Sequence, residues 1–381
     1  MRANEGGSPA LQGGEEVTTV QEYLVPPFEV VERKGIGHPD TLADGISESI
    51  SRSLCRLYLE EFGSIMHHNL DKVLIVAGKS RPEFGGGEIL QPPTVVVGGR
   101  ATGLREKAID QVIREAVEEF FAATVRNQRE FNVEARAGEG APELRSLVGR
   151  GANDSSIGVG FAPLSPVERT VLQVEKDVRS IPGVGDDVKI MAVRQGEELK
   201  IVAAAAMVSK YISSREEYEE AKARVSEAIR RRADAEVSVN AADSGENIYL
   251  TVTGTSIEMG DDGATGRGNR GNGLITPGRP MTMEAIAGKN PVSHVGKIYN
   301  VLAERMAREM VELEGIDEAY VTLVSRIGSP IRQPLLRGVR ICGNVRLTEG
   351  LEKEVSSIID CWLESADQLA EEFVRGALTV Y

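Results

Sequence analysis

The densest group of potential anion-binding residues lies in a glycine-rich stretch over residues 260–297. Its basic residues are Arg267, Arg270, Arg279, Lys289 and Lys297. They are concentrated there although the whole chain has a formal net charge of −14. Glycines let backbone N–H groups approach an anion closely, and guanidinium groups match pairs of phosphate oxygens. The pattern therefore predicts a pocket for a polyanion, with a solvated surface loop as the structural alternative.

Gly266, Gly268 and Gly271 satisfy the G-x-G-x-x-G pattern of dinucleotide-binding proteins. That fingerprint requires a strand directly before it and a helix directly after it. Pro277 and Pro280 follow within the turns that such a helix would occupy, and a proline inside a helix breaks it. The sequence therefore argues against a dinucleotide-binding fold. A disordered RNA-binding tract is also disfavoured, because the chain is acidic and a hydrophobic strand and helix flank the stretch.

A second candidate site lies in the segment ERKGIGHPDTLADGISE, residues 32–48. Apolar residues recur at helical spacing from Thr41, and Gly63 ends the pattern. His38 and Asp40 are therefore expected at a helix N-terminus, where free N–H groups and the helix dipole favour anions. The structural alternatives are an N-cap role for Asp40 and a loop position for His38.

Composition limits the classes of partner. The chain has 58 acidic and 44 basic residues, which disfavours nucleic acid and anionic membranes. Its three cysteines, Cys55, Cys342 and Cys361, lack metal-binding spacing and indicate a reduced, cytoplasmic chain. No apolar run approaches the roughly 20 residues of a membrane span. Residues 1–22 lack the pattern of a secretion signal and are predicted to form a disordered tail.

Strand, hairpin and helix patterns recur about three times along the chain, which predicts an α+β fold with helices covering antiparallel sheets. The segments DDGATGRGNRGNGLITPGRP, GKNPVSHVGKIYN and ERKGIGHPDTLADGISE resemble the archaeal-type S-adenosylmethionine synthetase (methionine adenosyltransferase) family. The resemblance extends from about Tyr23 to the C-terminus. It implies three similar α/β subdomains around a pseudo-threefold axis. They comprise approximately residues 23–36 with 165–256, residues 37–145 with 257–297, and residues 146–164 with 298–381.

The resemblance implies synthesis of S-adenosylmethionine from ATP and L-methionine. The methionine sulfur would attack C5′ of ATP, and the released triphosphate would be hydrolysed to pyrophosphate and phosphate. A thioether carries no proton, so the enzyme must align the reactants and stabilise the leaving oxygen rather than supply a base. Mg²⁺ is implied as cofactor, and a need for K⁺ stays open. A homo-oligomer, either a dimer or a dimer of dimers, with active sites at the interface is also implied.

Two other classes of function compete with this one. The first is another ATP-dependent transferase or a kinase, and the second is an ATP-sensing binding protein. The reaction products separate them, because a kinase releases ADP, a binding protein releases nothing, and a methionine adenosyltransferase releases pyrophosphate and phosphate.

Four residues are implied in catalysis and one in metal binding. His38 of the GHPD segment would hydrogen-bond near the leaving O5′. Lys189 of DVK and Lys289 of GKN resemble phosphate-binding lysines, and Arg267 resembles a triphosphate-binding arginine. Asp40 would bind Mg²⁺.

Further residues are implied in substrate or ATP binding. Glu32 matches a position that contacts the nucleotide, and Asp154 matches an aspartate that contacts the amino group of methionine. Asp187 and Asp261 match substrate-binding positions in the same motifs as the phosphate-binding residues. The implied nucleotide-binding stretch comprises Gly138, Glu139, Gly140, Ala141, Pro142 and Glu143. The family usually has a small hydroxyl residue and an aspartate in place of the alanine and the last glutamate, which leaves side-chain roles there open.

One departure from the bacterial members affects the metal site. They place a magnesium-binding aspartate six residues after the lysine that Lys289 matches, whereas this chain has Val295. Either Asp261, Asp262 or Asn290 would substitute, or a second metal would be held differently.

Overall fold

Three β-sheets, each with helices packed on one face, make up most of the chain. The structure is a computed structural model that describes residues 14–127, 130–146 and 151–381, apart from the side chains of Glu143 and Leu144. The strands are β1 Glu15–Gln21, β2 Phe28–Lys34, β3 His68–Val76, β4 Lys79–Glu83, β5 Gly86–Gln91, β6 Thr94–Ala101, β7 Asn132–Gly138, β8 Ile157–Ala162, β9 Val184–Gln195, β10 Glu198–Val208, β11 Glu236–Val239, β12 Leu250–Thr251, β13 Gly263–Ala264, β14 Ile316–Val324 and β15 Leu336–Gly343. The helices are α1 Pro39–Phe62, α2 Ile109–Thr124, α3 Pro142–Ser146, α4 Pro166–Arg179, α5 Arg215–Arg232, α6 Val295–Met310, α7 Glu349–Glu364 and α8 Ala366–Arg375. Within these ranges, no helix combines the length and apolar composition needed to cross a membrane.

The three main sheets contain both parallel and antiparallel strand pairs, and β4 and β5 form a separate two-stranded antiparallel sheet. The strand orders are β13-β3-β6-β7, then β11-β10-β9-β2 with β12 beside β10, and β1-β15-β14-β8. The central pairs are antiparallel, whereas β7 is parallel to β6, β11 to β10 and β1 to β15. The α+β class is confirmed, but the prediction of antiparallel sheets is wrong at these edges. At β7 and β11 the reason is that α2 connects β6 to β7 and α5 connects β10 to β11, and a helical crossover returns the chain in the same direction. Strands β1 and β15 come from opposite ends of the chain, so no hairpin forces them to be antiparallel.

Each sheet has its own hydrophobic core against the helices on its covered face. Helices α1 and α2 pack on the first sheet, α4 and α5 on the second, and α6, α7 and α8 on the third. Residues on β3 alternate as expected for such a sheet, because Val73 and Ile75 are buried whereas Leu74 and Val76 are 44% and 42% exposed. The opposite, helix-free faces therefore carry apolar side chains. The pseudo-threefold arrangement and the subdomain boundaries stay predictions.

The N-terminal segment predicted to be disordered contains a strand. Residues 1–13 lie outside the described part of the chain, so the prediction stays open there. Over Glu15–Gln21 it is wrong, because these residues form β1 and pair in parallel with β15. Val20 packs against the core beneath this sheet, and the backbone of β1 covers the edge of β15.

A fully buried ion pair joins helices from two of the cores. Lys297, near the start of α6, donates from Nζ to the two carboxylate oxygens of Glu48 on α1, at 2.7 and 2.9 Å. Glu48 also accepts from the backbone N–H of Gly288 at 3.0 Å. The Lys297 Nζ lies 4.4 Å from the centroid of the Phe373 ring on α8. Burial lowers the pKa of Lys297, so its charged state depends on the carboxylate of Glu48.

We expect Glu48→Gln to destabilise the protein by about 3–5 kcal/mol, because it leaves a buried ammonium group without its counter-charge. The double variant Glu48→Gln/Lys297→Met removes both charges and should recover part of that loss. Urea unfolding of the wild-type chain and the variants measures both changes. Glu349→Gln is the matched control, since Glu349 forms an exposed pair with Lys353 at 2.7 Å and should contribute less than about 1 kcal/mol. Equal losses in the buried and exposed variants would contradict the role of this pair.

Candidate active site

His38 is the N-cap of α1, with φ −66° and ψ 139°. Its Nδ1 accepts a hydrogen bond from the backbone N–H of Asp40 at 3.2 Å, so the proton of the neutral ring is on Nε2. Burial lowers the pKa of His38, which favours the neutral form at neutral pH. His38 therefore presents a neutral N–H donor at the helix N-terminus. The alternative in which Asp40 is the N-cap is wrong, because Asp40 lies inside the first turn of α1.

The carboxylate of Asp40 connects three chain segments. Its Oδ2 accepts from Lys34 Nζ, at the end of β2, at 2.8 Å, and its Oδ1 accepts from the backbone N–H of Ala264, in β13, at 3.0 Å. The same Lys34 Nζ donates to the backbone oxygen of Arg267 at 2.9 Å. Burial alone would raise the pKa of Asp40, but the hydrogen bonds from Lys34 and Ala264 lower it below its usual range. Asp40 is therefore an ionised, partly buried carboxylate.

Hydrogen bonds also fix the loop from Gly266 to Arg270. Asp44, one turn after Asp40 on α1, accepts from the backbone N–H of Gly266 at 2.8 Å. A Cβ at Gly268 would lie 2.4 Å from Asp44 Oδ2, so this close approach requires glycine. Arg270 donates to the backbone oxygens of Gly266 and Gly268 at 2.7 and 2.8 Å. Arg267 is exposed, and in the described part of the chain its side chain has no hydrogen bond or ion pair, which leaves it available to an anion.

Strand pairing connects two further predicted residues, Glu32 and Lys189, to Asp40 through Lys34. In the sheet register, Lys34 of β2 lies opposite Lys189 of β9. The Lys189 Nζ lies 3.3 Å from Glu32 Oε2, and Lys34 Nζ lies 3.9 Å from Glu32 Oε1. We call Glu32, Lys34, His38, Asp40 and Lys189 the helix-entry cluster. It combines two ammonium groups and two carboxylates joined by ion pairs with the neutral donor of His38, whose ring contacts the backbone of Asp40.

Asp187 and Asp261 differ in their surroundings. Asp187 is buried, and its Oδ2 accepts from the Tyr249 hydroxyl at 3.1 Å and from Ser256 N–H and Oγ at 3.0 and 2.5 Å. These bonds hold the chain that leads into the glycine-rich loop. Asp261 is exposed at the start of that loop. Their predicted contacts with substrate stay predictions.

A second group of predicted residues lines an open cleft of about 1030 Å³. The ionisable residues considered below are Asp71, Asp154, Arg267, Glu284, Lys289 and His294, and we call this space the lysine cleft. Lys289 is only 4% exposed, and its Nζ lies 2.7 Å from Asp71 Oδ2 and 3.3 Å from Glu284 Oε2. A phosphate bound at Lys289 would therefore share the ammonium group with two carboxylates.

The predicted nucleotide-binding stretch, residues 138–143, joins the end of β7 to the start of α3. Gly140 packs against the ring of His67, where a Cβ would lie 2.6 Å from Nδ1. Glu139 is exposed and lies 3.4 Å from Arg145, whereas the side chain of Glu143 lies outside the described residues. The described members of this stretch are not part of the lining of the lysine cleft. Its role in nucleotide binding stays a prediction.

Arg267 is the link between the helix-entry cluster and the lysine cleft. Its backbone oxygen accepts from Lys34, while its side chain lines the cleft with Asp154 and Lys289. Across residues 14–127, 130–146 and 151–381, no hydrogen bond or ion pair connects a side chain of the cluster directly to one of the cleft's ionisable side chains. The predicted catalytic residues thus form two groups on either side of one loop.

The family model for S-adenosylmethionine synthetase (AdoMet synthetase) matches residues 16–377. The chain belongs to the S-adenosylmethionine synthetase family. The S-adenosylmethionine synthase of Methanothrix thermoacetophila is 43% identical over 93% of this chain and 95% of its own length. The corresponding protein of Pyrobaculum neutrophilum is 44% identical over 96% and 98%. These relatives confirm the archaeal-type resemblance and the prediction of an enzyme of the methionine adenosyltransferase class.

The fold has a counterpart among solved structures. An unusual S-adenosylmethionine synthetase from Campylobacter jejuni aligns with a TM-score of 0.65, over 92% of this chain and 93% of that chain. The sequence identity is 18%, so this likeness concerns the fold alone.

Asp40 fits the metal-binding role that the S-adenosylmethionine synthetase family implies. The described residues contain no group of three or more His, Cys, Asp or Glu that could hold a metal ion without further ligands. Mg²⁺ commonly uses one or two protein carboxylates and takes its other ligands from phosphate oxygens and water. The ammonium group of Lys34 against Asp40 shows that this carboxylate accepts a cation. Asp40 therefore suits a Mg²⁺ ion that arrives with a polyphosphate.

Of the three residues considered as a second metal ligand, two stay open, as does the alternative that a second metal is held differently. Asn290 is fully buried; its amide donates to a backbone oxygen at 2.9 Å and its Oδ1 accepts from a backbone N–H at 3.0 Å. It is therefore committed to the loop backbone. Val295, at the position where bacterial members carry an aspartate, is fully buried in the core under α6. Asp261 and Asp262 are both exposed and stay open as alternatives.

Sequence reasoning missed Asp71, Glu284 and His294. Asp71 interrupts the apolar segment of β3, and an aspartate within such a segment could have been recognised in the sequence as a candidate site residue. His294 directly precedes the first apolar residue of α6, as His38 precedes α1, so its N-cap position was also detectable. Glu284 lies in an irregular loop, and nothing in its sequence context indicates the contact with Lys289.

Proposed function

We propose that the chain synthesises S-adenosylmethionine from ATP and L-methionine. The methionine sulfur attacks C5′ of ATP, triphosphate leaves, and the triphosphate is then hydrolysed to pyrophosphate and phosphate. The structural observation that supports this best is the neutral Nε2–H of His38 at the start of α1, beside Lys34 and Asp40. Membership of the S-adenosylmethionine synthetase family supports the substrates.

The proposed reaction matches the chemistry of the two groups of residues. A thioether has no proton to lose, so the attack requires alignment and stabilisation of the leaving oxygen. His38 would donate to the departing O5′ as negative charge develops on it. Arg267, Lys189 and Lys289 would bind the oxygens of the triphosphate.

The remaining site residues would bind and orient the substrates. Asp154 would contact the amino group of methionine, and Asp187, Asp261, Glu32 and residues 138–143 would contact the substrates and the nucleotide. Asp40 would hold Mg²⁺, which supplies additional positive charge along the phosphates when bound.

A homo-oligomer with the active site at a subunit interface is part of the proposal. The helix-free sheet faces expose apolar side chains that a second copy could cover, namely Leu74, Val76, Ile157, Val193 and Val202. A dimer or a dimer of dimers, the pseudo-threefold subdomain arrangement and a cytoplasmic location remain parts of this proposal.

The function is tested by incubating the protein with ATP, L-methionine and Mg²⁺ and identifying the products by mass spectrometry. We expect S-adenosylmethionine, pyrophosphate and phosphate, with no S-adenosylmethionine when methionine is omitted. Formation of ADP would indicate a kinase instead. ATP binding without any product would indicate a sensing protein, and either result would refute the proposal.

For His38, we expect His38→Asn to lower kcat about 10²–10³-fold with little change in KM, because the lost donor acts on charge that develops in the transition state. Asparagine can still accept from the N–H of Asp40, so the helix cap is retained. Hydrolysis of added tripolyphosphate does not break the C5′–O bond and should be spared relative to the complete reaction. Parallel assays of the two half-reactions measure this difference. Equal losses in both would show that His38 has only a structural role.

Co-expression of two inactive variants tests the shared site. If each site takes the helix-entry cluster from one chain and the lysine cleft from the other, a His38→Asn chain paired with a Lys289→Met chain forms one intact site per heterodimer. Random pairing should then restore about a quarter of the wild-type activity. The control pairs His38→Asn with Asp40→Asn, which both affect the cluster, and should restore nothing. If neither mixture recovers activity, the complete site lies within one chain.

A further inference from the structure

We propose that His294 is a further substrate-contacting residue, whose neutral Nε2–H donates a hydrogen bond to an anionic oxygen in the lysine cleft. Two parts of the substrates carry such oxygens, the carboxylate of methionine and the phosphates of ATP. This role rests on the proposed function and adds to it a residue that the family motifs quoted above do not assign.

The position of His294 in the chain fixes which ring nitrogen is protonated. His294 is the N-cap of α6, with φ −88° and ψ 104°. Its Nδ1 accepts from the backbone N–H of Gly296 at 3.2 Å. A neutral imidazole has one donor and one acceptor nitrogen, so Nε2 carries the proton. The helix cap thus orients the donor as well as starting the helix.

His294 is buried in protein yet borders the cleft. Only 4% of the residue is exposed, and it is part of the lining of the lysine cleft together with Lys289. In the ranges that the structure describes, no hydrogen bond to its Nε2 is formed. The side-chain oxygen of Asn69, which also lines the cleft, is buried without a partner among those residues. Buried polar atoms are normally paired, so this oxygen indicates a ligand or ordered water in the cleft that His294 borders.

The electrostatic surroundings favour a donor without net charge. Burial and, after it, the nearby ammonium group of Lys289 lower the pKa of His294 to about 3, so the ring is neutral at neutral pH. Lys289 is itself held by Asp71 and Glu284. A neutral N–H is not drawn into this ion-pair network and remains available to an incoming anionic oxygen.

The same local arrangement of a histidine N-cap occurs at His38. Both histidines are helix N-caps, both accept through Nδ1 from the N–H two residues later, and both donor–acceptor distances are 3.2 Å. Burial lowers the pKa of both rings. One histidine belongs to the helix-entry cluster and the other to the lysine cleft. The fold therefore provides each group of site residues with one neutral donor.

A purely structural helix cap is the competing explanation, and two substitutions separate it from substrate contact. His294→Asn preserves an acceptor near Nδ1 and removes the distal donor. His294→Gln places an amide N–H near the original Nε2 and weakens the cap. A structural cap predicts that asparagine is tolerated and glutamine is not. A substrate contact predicts the reverse order.

The experiment measures steady-state kinetics of the full-length wild-type chain and both variants, with thermal unfolding as a check of the fold. We expect His294→Asn to raise a substrate KM roughly tenfold or more, the usual effect of losing a hydrogen bond to a charged group, and His294→Gln to recover part of it. A change confined to the KM for methionine identifies the methionine carboxylate as the group that accepts the hydrogen bond from His294. A change in the KM for ATP and for added tripolyphosphate identifies a phosphate oxygen.

Direct titration calorimetry with L-methionine and with tripolyphosphate gives a readout that does not depend on turnover. Weaker binding of one ligand to His294→Asn than to the wild-type chain and to His294→Gln is the supporting result. Unchanged binding and kinetics in His294→Asn, or equal losses in both variants, would overturn the role of His294. A wild-type chain that forms no S-adenosylmethionine would instead refute the proposed function, and the titrations would still decide whether His294 contacts a ligand.

Discussion

The ionised carboxylate of Asp40 is the constraint on which the arrangement of the helix-entry cluster depends. A partly buried carboxylate is costly unless charges or N–H groups compensate it. Here the compensating groups come from Lys34 at the end of β2 and Ala264 in β13. The start of α1, with His38, is thereby held against the glycine-rich loop. Because Lys34 also binds the backbone oxygen of Arg267, the same interaction positions the arginine that is free to meet an anion.

The glycine-rich stretch supplies less free positive charge than its sequence indicates. Four of its five basic side chains are engaged within the fold: Arg270 by backbone oxygens, Arg279 by Glu168 and Glu318, Lys289 by Asp71 and Glu284, and Lys297 by Glu48. Only Arg267 has a side chain without a partner among the described residues. A chain with an excess of acidic residues offers each cation many counter-charges. Local density of basic residues therefore overestimates the positive charge available to a substrate.

Local signals accounted for the elements that carry the site. Helix α1 begins at Pro39 and is capped by Gly63 with φ 71°, in agreement with the apolar periodicity and the terminal glycine. The same pattern predicted that His38 lies at the N-terminus of this helix. These features depend on neighbouring residues only, and hydrophobic periodicity reports them well.

Contacts between distant segments were not predictable in the same way. Strand β1 pairs with β15 more than 300 residues away, and Lys289 meets Asp71 across 218 positions. The weak alternation of apolar residues in β1 does not identify β15 as the strand that it pairs with. The sequence around Lys289 likewise does not identify Asp71 as its partner. Family resemblance placed Lys289 in the site, but its motif contains no information about the two carboxylates that hold it. Tertiary contacts therefore determine which of the predicted basic side chains are available to a substrate.

The difference between the lysine and the two histidines has a physical cause. A buried cation without a partner is strongly unfavourable, so the fold surrounds Lys289 with carboxylates. A neutral imidazole carries no net charge, and leaving one N–H unpaired beside a cleft costs much less. His38 and His294 can therefore stay oriented by their helix caps while their donors remain free. For a reaction that needs no base but must stabilise developing negative charge, such oriented neutral donors are better suited than additional lysines, which an acidic chain would neutralise.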